Sequence, residues 1–157
     1  MKLAQIQMHV TAGKAANLRH AEELLRSVRG ADMAILPEMF CCPYDNACFR
    51  AYGEPEGGPA YQMLSRAARE LKLWLVGGSL PELDGDKIYN TAYVFDPTGT
   101  CVARHRKMHL FDIDVQGGQS FRESATLSPG NDITLFDTPY GRIGLCICFD
   151  LRFEELC

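Results

Sequence analysis

Three side chains of this sequence could together break an acyl bond: Glu38, Lys107 and Cys148. A thiol at its ordinary pKa of about 8.5 is mostly protonated at neutral pH, so it attacks an amide only with help from a base or a cationic neighbour. A glutamate can take the thiol proton and later hand it to departing ammonia. A lysine ammonium can stabilise the oxyanion of the tetrahedral intermediate. Each of the three stands where a strand-like run of residues stops.

Glu38 follows Pro37 at the end of Ala31 to Leu36, a short apolar run that fits a strand buried on both faces. The ends of such strands are where open α/β sheets carry their sites. Lys107 closes a hairpin made of Ile88 to Phe95, the turn Asp96-Pro-Thr-Gly99, and Thr100 to Arg106. Cys148 closes Ile143 to Ile147, where apolar residues alternate with Gly144 and Cys146. Asp150 then reads as the N-cap of a new helix, with Glu154 and Glu155 in the first turn where the helix dipole favours anions. A cysteine on a sharp strand-to-helix turn is the counterpart of a nucleophile elbow, and the N–H of Phe149 is its natural second oxyanion donor. Cys146 shares side-chain parity with Cys148 but lies inside the expected strand and reads as packing.

The remaining elements supply the frame. Leu3 to Val10 alternates as a first strand. Asn17 suits an N-cap for a helix with a stripe of Leu18, Ala21, Leu25 and Val28, ended by Gly30. Pro59 opens a second helix with Tyr61, Leu64, Ala67 or Ala68, and Leu71 on one face, and Leu73 to Gly78 is again strand-like. This β-α-β-α-β order predicts a parallel or mixed sheet with helices on one side. Residues 108 to 132 show no clear period, and a loop of that length in a globular domain is usually functional. Ile133 to Phe136 and the turn Thr138-Pro-Tyr-Gly141 lead into the Cys148 strand.

Composition narrows the class. With 157 residues, 46% hydrophobic and 23% charged, the chain is long enough for one globular domain with a real core. Its formal charge of -4 and scattered basic residues argue against a nucleic-acid surface, and no apolar run approaches membrane-spanning length. The seven cysteines form no C-x2-C knuckle, and the opening Met-Lys-Leu-Ala-Gln lacks the apolar core of a secretory signal. Free thiols in a reducing compartment are expected, cytoplasmic with mitochondrial still open. The four histidines do not pair with the cysteines at metal-ligand spacing, so neither metal nor cofactor is expected.

Three strings, L-P-E-M-F at 36–40, H-R-K-M-H-L-F-D at 105–112 and C-I-C-F-D-L-R-F at 146–153, resemble the signature segments of the nitrilase-type carbon-nitrogen hydrolase superfamily. G-G-S-L-P-E at 77–82, Y-N-T-A at 89–92, H-L-F-D-I-D-V at 109–115, and F-R-E-S with L-S-P-G within 121–130 resemble its omega-amidase branch, which hydrolyses short dicarboxylic acid monoamides such as 2-oxoglutaramate. The resemblance implies Glu38 as general base, Lys107 as catalytic lysine, Cys148 as nucleophile of a thioester intermediate, and Glu123 as a second glutamate lining the pocket. Arg152 could hold a substrate carboxylate bidentately, or pair with Glu155 or Asp150.

The implied fold is α/β, a four-layer α-β-β-α sandwich, and the implied partners are a small-molecule amide and, for the full-length protein, a second copy in a homodimer. Family chains continue beyond the nucleophile with further strands and helices. The expectation is therefore the N-terminal part of a carbon-nitrogen hydrolase domain over 1–157, truncated after the nucleophile strand. Two other readings stay open: another linear amidase or nitrilase of the superfamily, and a non-catalytic fragment or interaction module that keeps the motifs.

Overall fold

A computed structural model describes residues 1–118 and 120–156. The first three strands are short: β1 (Leu3–Gln5), then after helix α1 (Lys14–Ser27), β2 (Met33–Ile35), and after helices α2 (Asn46–Tyr52) and α3 (Pro59–Leu71), β3 (Trp74–Val76). They run parallel in the order β1-β2-β3, with Ala4 opposite Ala34 and Ala34 opposite Leu75. Next come β4 (Leu80–Asp84), β5 (Lys87–Phe95) and β6 (Cys101–Arg106), with β3, β4 and β6 each paired antiparallel to β5. β3 and β4 share one edge of β5, at Val94–Phe95 and Lys87–Thr91 respectively, and β6 takes the other edge.

Every residue of β5 after Lys87 is buried, because both sheet faces are covered. On one face Ala21 and Leu25 of α1 and Leu64, Ala67 and Ala68 of α3 pack on Ala34, Leu36, Leu75, Tyr93 and Phe95. On the other, the antiparallel pair β9 (Thr134–Thr138) and β10 (Gly141–Leu145) contributes Phe136 and Leu145, with Ile147 beyond it, against Met33, Val76, Ala92 and Val94. This is the mixed sheet with helices on one side that the element order predicts.

Several boundaries differ from expectation. The first strand stops at Gln5 because its partner β2 ends at Ile35; only the Ile6 N–H adds a further bond, to the Ile35 carbonyl at 2.9 Å. Helix α1 starts at Lys14 with Gly13 as N-cap, so Asn17 is not the cap. Asn17 is buried in the first turn, where its side chain accepts from the Thr11 N–H at 2.9 Å and donates to the Thr11 carbonyl at 2.8 Å. Strand β4 was hidden in the sequence by Pro81. Proline is tolerated there because its nitrogen faces away from β5 toward Glu54, whose N–H meets the Pro81 carbonyl at 3.1 Å.

The aperiodic stretch 108–132 contains a small hairpin, β7 (Asp112–Asp114) with β8 (Ser120–Arg122), followed by a 3-10 turn at Glu123–Ala125. Strand β10 ends at Leu145, so Cys146 lies beyond the ladder rather than inside it. The segment after Cys148 is not an α-helix: Cys148–Arg152 and Glu154–Leu156 are 3-10 turns. Among the described residues no helix is long and apolar enough to cross a membrane.

Candidate active site

Glu38 sits on a turn just past β2 that is fastened to the turn after β3. The Met39 N–H donates to Ser79 Oγ at 3.0 Å, the Phe40 N–H to the Ser79 carbonyl at 3.2 Å, and the Ser79 N–H to the Pro37 carbonyl at 3.3 Å. Gly78 makes this possible. Its φ is +57°, and a Cβ there would lie 2.1 Å from the Pro37 carbonyl oxygen.

Lys107 leaves β6 with its main chain held on both sides, its N–H on the Asn90 carbonyl at 2.8 Å and its carbonyl taking the Gly130 N–H at 2.9 Å. The side chain is wholly buried. Its Nζ donates to Glu38 Oε1 at 3.0 Å, to Glu123 Oε2 at 2.9 Å, and more loosely to the Tyr44 hydroxyl at 3.5 Å. Burial alone would push the ammonium's pKa down, but the charges of Glu38 and Glu123 and their hydrogen bonds outweigh it and the net shift is upward. Lys107 is therefore a fixed cation. Glu123 is fully buried as well and also accepts the Phe111 N–H at 2.6 Å. A loop glutamate, legible only through the family resemblance, is thus the lysine's second counter-ion.

Cys148 has φ +48°, a left-handed backbone that a side chain normally avoids, so the chain turns sharply and presents the thiol outward. The sharp turn read from the sequence is there, but it runs from beyond the end of β10 into a 3-10 turn and not into an α-helix. Partial burial pushes the thiol's pKa up, and the charge of Glu38 and a hydrogen bond to it push the same way; Lys107 opposes them. The resting group is a thiol with the Glu38 carboxylate beside it.

Asp150 does not cap a helix. Its fully buried carboxylate is consumed instead in tying the elbow to the end of β6. It accepts the Ile147 N–H at 3.0 Å, the Met108 and His109 N–H groups at 3.2 and 2.8 Å, and lies 3.0 Å from both His105 Nε2 and His109 Nδ1. Burial opposes ionisation here, yet the donors from His105, Ile147 and His109 bring its pKa down to about 2. The His109 ring stacks on Phe153 at 3.6 Å. One carboxylate thus sets the strand end carrying Lys107 relative to the turn carrying Cys148.

These groups open on a cleft of ≈ 580 Å³ lined by Glu38, Tyr44, Phe111, Cys148, Phe149, Leu151 and Arg152. Arg152 is exposed on its wall and among the described residues pairs with neither Asp150 nor Glu155. The Phe149 ring meets Phe111 edge-on at 5.2 Å, making one wall aromatic. Cys146 is half-buried and borders a smaller cavity of ≈ 110 Å³ next to Cys148. Cys41, Cys42, Cys48, Cys101 and Cys148 carry free thiols, and Cys157 lies outside the described residues. Among the described residues no group of three or more His, Cys, Asp or Glu side chains is arranged to hold a metal ion. Sequence reasoning gave no role to Tyr44, Asn90 or the two histidines on Asp150; the signals for Asn90 were its place in Y-N-T-A and a polar residue inside a buried strand.

A helical layer on a mixed sheet, a strand pair on the sheet's far face, and a glutamate–lysine–cysteine cluster with a second glutamate at the strand ends define an α/β protein of the nitrilase type. Residues 2–157 match the family model for carbon-nitrogen hydrolases, and the chain belongs to that family. It is 48% identical over 157 residues to "Omega-amidase NIT2" of Danio rerio and 50% identical to that of Bos taurus, in each case over 99% of this chain and 57% of the relative. It therefore spans 57% of the length of these relatives. Among solved structures, Saccharomyces cerevisiae Nit3, "a member of branch 10 of the nitrilase superfamily", superposes with a TM-score of 0.86 at 39% identity, over 99% of this chain and 58% of that one. The superfamily, its omega-amidase-like branch and the α/β fold expected from the sequence are borne out.

Proposed function

We propose that this protein hydrolyses linear carbon–nitrogen bonds of small amides, and that its preferred substrates are short dicarboxylic acid monoamides such as 2-oxoglutaramate. The observation that carries this reading is the placement of Lys107 Nζ 3.0 Å from Glu38 Oε1 at the cleft onto which the left-handed turn of Cys148 opens. Two relatives named as omega-amidases, each sharing about half of its aligned residues with this chain, favour the same substrate class.

Glu38 takes the thiol proton as Sγ adds to the amide carbon. The resulting oxyanion is met by Lys107, whose N–H toward Tyr44 is the loosest of its bonds and the one free to turn, and by the Phe149 N–H. One such donor lowers a barrier of this kind by roughly 3 kcal/mol. Glu38 returns the proton to the nitrogen, ammonia leaves, and a water deprotonated by Glu38 opens the Cys148 thioester to release the acid. Arg152 is placed to hold the substrate's free carboxylate.

The test is ammonia release by the full-length protein from 2-oxoglutaramate, succinamate and a neutral amide, against Cys148→Ala. Mass spectrometry on a slowly deacylating variant should find an acyl adduct on the peptide containing Cys148. If no amide yields ammonia above the Cys148→Ala background, the reading is wrong and the motifs serve something other than hydrolysis.

A further inference from the structure

Asn90 is a polar side chain inside a strand buried on both faces, and it is itself inaccessible to solvent. Its two ends are treated unequally. The Nδ2 donates to Glu38 Oε1 at 2.8 Å and reaches Glu123 Oε1 at 3.4 Å. The Oδ1 is buried and meets no donor among the described residues. A buried carbonyl without a donor destabilises a fold, and an apolar residue of the same size would suit this strand better. What the amide contributes must therefore lie at its N–H end.

That end faces two carboxylates that share one ammonium, Lys107. A neutral donor offsets their repulsion without adding a charge, and it fills Glu38 Oε1 alongside the Lys107 Nζ. We infer that Asn90 is the positioning residue of the general base: with Oε1 held by two donors, Glu38 is turned so that Oε2 receives the Cys148 proton. The inference rests on the reading of Glu38 as the base. The titratable groups facing Glu38 are Lys107, Glu123, Tyr44 and Cys148, and a change at Asn90 leaves all four in place.

The experiment compares wild type with Asn90→Leu, close in size and apolar, and with Asn90→Ser, smaller and too short to reach Glu38. Asn90→Leu should unfold within a few degrees of wild type and Asn90→Ser lower, by the cavity it leaves, so the activity readouts are compared at a temperature where all three are folded. In both, kcat for 2-oxoglutaramate should fall by about tenfold or more with KM little changed, since an ill-aimed base loses part of its contribution. The acid limb of kcat/KM should move up by about half a pH unit, because a carboxylate that loses a donor is easier to protonate. A second arm needs no substrate: the pH profile of Cys148 alkylation by iodoacetamide, followed on the Cys148 peptide, should move the same way. A wild-type protein inactive on amides would sink the proposed function and leave this arm to decide on Asn90. Lower stability with both acid limbs unmoved, or undiminished kcat in both variants, would overturn the inference.

Discussion

Lys107 Nζ donates to both oxygens of Glu123, at 2.9 and 3.2 Å, and neither side chain touches solvent. Losing Glu123 as a charged acceptor costs about 1.5–3 kcal/mol and no more, because Glu38 remains 3.0 Å from the ammonium as its counter-ion. Glu123→Gln should show that loss in urea unfolding. It should also lower kcat by about a hundredfold, since Lys107 would then bind Glu38 alone and compete for the base. Because the folded pKa of Lys107 lies above its ordinary 10.5, the pair's contribution is fully present below that value and fades only as pH rises through the higher one. A Gln variant within threefold of wild-type kcat would remove Glu123 from the site.

Asp150 titrates at about 2 when folded, against an ordinary 3.8. Its contribution, about 2 kcal/mol, is thus present above 3.8 and is lost as pH falls toward 2. Asp150→Asn should lower the urea midpoint at pH 7, and its deficit from wild type should close progressively below pH 4. A deficit of the same size at pH 7 and pH 2.5 would show that the carboxylate's charge is not what the five donors hold.

The left-handed backbone of Cys148 gives a prediction separable from its chemistry. Cys148→Gly and Cys148→Ala should both be inactive, but the glycine variant should be the more stable by about 1 kcal/mol, since only glycine adopts φ +48° without strain. Cys146→Ala should keep a substantial fraction of activity. Comparable losses at Cys146 and Cys148 would sink the assignment of the nucleophile.

Arg152 offers a fork of donors on the cleft wall, and an ammonium cannot reproduce that geometry. Arg152→Lys should raise KM for 2-oxoglutaramate and succinamate well above any change for a neutral amide of similar length. Equal effects on both substrate types would remove Arg152 from carboxylate recognition.

What could be read in the sequence was whatever short-range pattern controls. Glu38, Lys107 and Cys148 stand just past strand-like runs, and period and turn residues located those runs before any coordinates. Residues whose roles depend on distant partners were misread or unseen. Asn17 and Asp150 both look like N-caps, since a short polar side chain before a helix-like pattern usually is one. Asn17 instead fastens Thr11, and Asp150 reaches 41 positions back to His109. Asn90 stands in the sequence only as part of Y-N-T-A, with no role legible, because its partners, Glu38 and Glu123, lie 52 and 33 residues away. β4 was lost behind Pro81, whose exemption from the ladder depends on Glu54, a residue from another part of the chain.

Gly78 carries no reactive atom, yet a methyl group there would strike the Pro37 carbonyl, and neither backbone could yield without moving the other. Glu38 would move with it. A Gly78→Ala substitution should therefore displace the turn that carries Glu38 although it alters no side chain of the Glu38, Lys107, Glu123 and Cys148 cluster.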